Sequence, residues 1–86
     1  MVARCTQRAR DGSAMLVAGV DASQACERLA AHEDLLDALH ARLAGVGSQI
    51  AALRAAGKIK TVTYQQLVGT KMTLREMLGY YEERGL

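Results

Sequence analysis

The chain has no proline, no phenylalanine and no tryptophan, and only three tyrosines and two cysteines in 86 residues. Without Phe or Trp, a core must be assembled from aliphatic and small side chains, which suits closely packed helices. Strands favour aromatic and β-branched residues, whereas the Ala and Leu that dominate here are strong helix formers. Cys5 and Cys26 have neither CxxC nor Cys/His spacing, so they form neither a disulfide framework nor a zinc site. Free thiols in a reducing cytoplasm are expected. No apolar run approaches the ~18–20 residues needed to span a bilayer. Arg4, Arg8 and Arg10 ahead of the apolar run 14–20 imitate a signal peptide. Asp11 and Gly12 interrupt it, and the run stands at the lower limit of the roughly 7–15 residues of such segments. A cytoplasmic protein is the expectation.

What the chain does have is a seam. Between residues 22 and 57, apolar side chains recur at alternating spacings of three and four: Ala22, Ala25, Leu29, His32, Leu36, Leu39, Leu43, Val46, Ile50 and Leu53. This is a heptad repeat with one polar intruder, His32, and it points to a coiled coil or helix bundle. Asp21 with Gln24 has the form of a capping box, which places a helix over 21–56, and Gly57 is its stop signal. Such a helix would be about 50 Å long. Gly45 and Gly47 within it cost roughly 1 kcal/mol each relative to Ala, and mark either a bend or the close approach of another backbone. Acids cluster in the first half (Asp21, Glu27, Glu33, Asp34, Asp37) and bases in the second (Arg42, Arg54, Lys58, Lys60), which suits the helix macrodipole. The net charge of +2 is too small to point to a partner.

A short connection after Gly57 leads to a second helix over 63–84. Thr63 and Gln66 have capping-box spacing, and Val62 with Leu67 has that of a hydrophobic staple. Its periodic seam is Leu67, Thr70, Leu74, Met77 and Tyr81, flanked by Val68 and Leu78, and its core is expected from Leu67, Leu74, Leu78 and Tyr81. A break at 69–71 is the alternative, because Thr73 and Glu76 form a second capping box. That split has the outline of a helix-turn-helix. The seam crosses 69–71 without losing phase, which favours one helix. Residues 1–12 read as an irregular basic arm. The apolar run 14–20 either extends the first helix backward or lies across the bundle.

The expected architecture is a single all-α domain over 1–86: a long helix and a shorter one in an antiparallel hairpin. The shorter helix covers only about 30 Å of the longer, leaving Ala25, Leu29 and Leu36 in need of another cover. A second copy is the simplest supply, giving a homodimeric four-helix bundle.

No Ser/His/Asp or Cys/His constellation and no phosphate-cradling glycine loop is visible, so neither an enzyme nor a cofactor is expected. His32 fits a register-fixing or pH-sensitive position, or simply a hydrogen-bonded histidine at the seam's edge. Glu33, Asp37 and His40 share a helix face, but the second helix offers no partner histidine and no metal is expected. Lys58, Lys60, Lys71 and Arg75, with Tyr80, are candidates for contact with a partner or with nucleic acid, or for a plain solubilising surface.

The segment "KIKTVTYQQLVGTKMTLREMLGYYEERGL" and the Ala/Leu seam before it resemble the orphan all-helical proteins encoded on bacterial integron gene cassettes. That resemblance implies homo-oligomeric assembly and assigns no activity. The function expected is binding or regulation. The rivals are a DNA-binding regulator using 63–84 and a small-molecule binder with an inter-helix cavity.

Overall fold

In the computed structural model, which describes residues 3–86, four elements follow one another: β1 (Thr6–Arg8), β2 (Ala14–Leu16), α1 (Ala22–Ala55) and α2 (Val62–Glu82). The two helices hold 65% of the described residues, which makes the class helical, as the composition implies. The chain falls into two compact units, Met1–Asp34 and Leu35–Leu86.

The first unit corrects the reading of the arm. Of residues 1–12, the first two lie outside the described residues; the rest contain β1, which pairs antiparallel with β2 in the register Thr6↔Leu16, Gln7↔Met15 and Arg8↔Ala14. The run 14–20 therefore begins as a strand, Ala14–Leu16, and does not extend α1, which starts at Ala22. The cause is the turn. The Asp11 carboxylate accepts from the Ser13 amide at 2.9 Å and from the Ser13 hydroxyl at 2.6 Å, and these bonds lower the Asp11 pKa. Arg8 adds a bond from Nη1 to the Gly12 carbonyl. An Asx-type turn of this kind lets a short polar segment reverse direction. The strands themselves are exposed along their length.

α1 starts as its sequence predicts. The Gln24 amide donates to Asp21 Oδ1 at 2.8 Å, and the Asp21 amide donates to Gln24 Oε1 at 3.0 Å. Each bond satisfies a backbone donor that the first turn would otherwise leave free. The helix ends on Gly57 at φ +71°, with the Lys58 amide bonded to the Leu53 carbonyl and the Gly57 amide to that of Arg54. This is a Schellman stop, which glycine serves because it adopts positive φ at no steric cost.

In the second unit, α2 packs on α1. Leu39, Val46 and Ile50 meet Leu74 and Leu78 as the buried core, with Leu36, Leu43, Tyr64, Leu67, Val68 and Tyr81 partly buried around it. On α2 the core falls on Leu74 and Leu78, with Leu67, Val68 and Tyr81 partly buried beside them, and Met77 of the periodic seam stands to one side. Leu78 is 4% exposed and central, whereas Met77 is 40% exposed. Leu67, Leu74, Leu78 and Tyr81 make the stripe, and the pattern alone does not separate it from one passing through Met77.

The N-terminus of α2 also differs from expectation. Thr61 is the cap: its hydroxyl accepts from the Tyr64 amide at 3.2 Å and donates to the Lys58 carbonyl at 2.8 Å. Thr63 lies inside the helix, and Val62 is the first helical residue, 69% exposed, so it forms no staple. Val62→Asp is accordingly expected to preserve stability or raise it by up to about 1 kcal/mol, since a carboxylate in the first turn complements the macrodipole. Thermal melts and amide protection at Gln65 and Gln66 check this; a clear loss of protection would restore the staple.

Candidate functional site

α2 is unbroken through 69–71. The Thr70 hydroxyl bonds the Gln66 carbonyl at 3.0 Å and the Thr73 hydroxyl bonds the Gly69 carbonyl at 3.1 Å, both one turn back along the helix. Thr73 therefore caps nothing, and the second capping box does not form. The helix-turn-helix outline required that break, so α2 provides no separate recognition helix.

Of the seam, the structure buries Leu39, Val46 and Ile50 and half-buries Ala25, Leu36, Leu43 and Leu53; Leu29 and His32 are exposed. In α2, Leu74 and Leu78 are buried and Leu67 and Tyr81 half-buried. The seam is thus a helix–helix contact over the span that α2 covers in the second unit.

The basic candidates do not gather at one place. Lys58 and Lys60 lie in the 56–61 connection, whereas Lys71 and Arg75 follow the Thr61 cap by ten and fourteen residues, about 15–21 Å along α2 at 1.5 Å per residue. Lys71 is half-buried beside the core stripe, and Arg75 is exposed. Tyr80 is exposed and donates to Glu76 Oε1 at 3.1 Å, and the hydrogen bond and the negative charge of Glu76 raise the Tyr80 pKa. Its hydroxyl is engaged along its own helix, yet its ring remains open to a partner.

Sequence reasoning passed over Arg54 and Tyr64. Arg54 Nε donates to the Tyr64 hydroxyl at 2.9 Å, and its guanidinium carbon lies 5.9 Å from the Tyr64 ring centroid. This polar clasp joins the last turn of α1 to the first of α2. The signal available was weak, a basic residue and a tyrosine ten positions apart on either side of a tight connection.

A shallow groove of about 790 Å³ lies between the helices, with Leu39, Arg42, Gln66, Gly69, Thr73 and Met77 among its walls. Its threonine hydroxyl protons are committed to the α2 backbone, so Arg42 and Gln66 are the side chains left to donate to a ligand there, and the threonine oxygens can still accept. No group of three or more His, Cys, Asp or Glu side chains sits together as a metal cluster among the described residues. No helix among them is long and apolar enough to cross a membrane.

The fold and these surfaces define a helical hairpin with several exposed apolar side chains. No protein-family model matches the chain, and neither a curated protein nor a solved structure matches it.

Proposed function

We propose that this protein is a homo-oligomeric helical interaction module, an adaptor or regulator of the cytoplasm, whose hairpins pair into a dimeric four-helix bundle. Exposed apolar side chains carry this reading. Much of the open surface is apolar: Leu35, Val62, Met72, Met77 and Tyr80 are all exposed in the helical unit, with Met72 at 68%.

Charge supplies an orientation. An antiparallel pairing of two α1 helices sets the acids Glu27, Glu33, Asp34 and Asp37 of one copy against Arg42 and Arg54 of the other. Each exposed pair contributes about 0–1 kcal/mol. Charge therefore selects direction, while apolar burial at ~25 cal/mol per Å² supplies affinity. Mass action gives the test. If dimerisation holds the native state, the thermal midpoint rises with protein concentration. A midpoint constant over a hundredfold range of concentration would contradict the dimer.

A further inference from the structure

Two features of the sequence have no role in the helical hairpin: the arginine-bearing arm and the histidine on the seam. The first unit brings them to one cleft. It lies between the β1 segment and the start of α1, has a volume of about 280 Å³, and is lined by Arg4, Cys5, Thr6, Ala25, Arg28, Leu29 and His32. Its polar side carries two guanidiniums, a hydroxyl and an imidazole. Its apolar side is Ala25 and Leu29, with Cys5 half-buried beside them. No carboxylate lines it.

Arg28 is held in place. Its Nη1 donates to the Ala3 carbonyl, which ties the start of the described chain to α1. A guanidinium carries five N–H donors in a rigid fork, so this bond leaves the others available to an acceptor.

We propose that this cleft binds a small molecule bearing an oxyanion, a carboxylate or phosphate group, with a short apolar portion. Arg28 and Arg4 take the charged oxygens, since forked guanidiniums match both groups. The Thr6 hydroxyl and the His32 ring supply further hydrogen bonds, and Leu29, 56% exposed in the unliganded cleft, covers the apolar part. The volume stands near the lower end of ligand pockets, roughly 300 Å³, and fits a small metabolite-sized ligand. Every lining residue belongs to the first unit; Ala25, Leu29 and His32 also lie on the α1 seam, so a second copy paired along this end of α1 would compete with the ligand for them, and the two proposals are tested separately.

Titration of the full-length protein with inorganic phosphate, and separately with acetate, followed by amide NMR shifts, tests the proposal. Ionic strength is held constant with chloride. At least one probe is expected to give saturable shifts centred on Thr6, Ala25 and Arg28, and comparison of the two tells phosphate recognition from carboxylate recognition. Arg28→Gln is expected to weaken binding about tenfold or more, since it removes a charge-assisted pair. Because Arg28 also tethers Ala3, Arg4→Gln serves as a second variant that leaves the tether intact, and it too should weaken binding. Shifts that fail to saturate with both probes, that spread over Arg8 and Arg10 as a general charge effect, or that are as strong in both variants would overturn the site.

Discussion

Leu78→Ala is expected to remove about 2–5 kcal/mol of stability, the usual cost of truncating a buried leucine through lost transfer energy and a residual cavity. Leu78 is the least exposed of the five core residues, at 4%. A small domain with one core seldom has more than about 3–5 kcal/mol in reserve, so the variant is expected to be near or past unfolding at room temperature. Guanidinium titration followed by helical circular dichroism reads the loss. Met77→Ala, one residue earlier and 40% exposed, is expected to cost far less within the hairpin. The contrast is informative because the repeat in the sequence runs through Met77, whereas the packing runs through Leu78. A larger loss at Met77 than at Leu78 would mean that the stripe is rotated. Leu39→Ala belongs with Leu78→Ala, as it empties the opposing wall of the same core.

The second large effect is a gain. Gly45 and Gly47 lie inside α1, and a methyl group added at either meets no atom within 4 Å beyond the adjacent backbone of its own helix. Alanine in a helix interior is better than glycine by roughly 1 kcal/mol. The double variant Gly45→Ala/Gly47→Ala is therefore expected to gain about 1–2 kcal/mol, a rise of several degrees in Tm at roughly 4–8 °C per kcal/mol for a domain of this size. Side-chain packing inside the chain gives no reason for these glycines. A fall in Tm accompanied by weaker association would place the backbone of a second copy against them.

The two predictions differ in how well the sequence foretells them. Helix ends are written locally, and Asp21 with Gln24 at the start of α1 and Gly57 at its end are legible because capping involves neighbours along the chain. The α2 start is misread by two residues because Thr61 and Thr63 offer the same hydroxyl. The choice falls to Thr61, whose hydroxyl also reaches the Lys58 carbonyl. The seam is legible as a face but not as a contact. Periodicity shows that Leu29 and Leu39 share a stripe, yet only the span α2 covers decides that Leu39 is buried and Leu29 open.

The hairpin of β1 and β2 escaped because each strand has three residues, too few for an alternating pattern to register. The Asp11-Gly12-Ser13 turn between two short runs was the available signal. With the hairpin missed, the cleft was invisible as well. Arg4 and Arg28 stand twenty-four positions apart, and no spacing rule connects them until β1 and α1 share a wall.

Light scattering over a dilution series is the most direct measurement of the assembly. A mass twice the 9.2 kDa of the chain, held down to micromolar concentration, is expected if a second copy covers the exposed apolar side chains. A mass of one chain at every concentration would contradict it, and would leave Leu35, Met72 and Met77 exposed in a protein that folds alone.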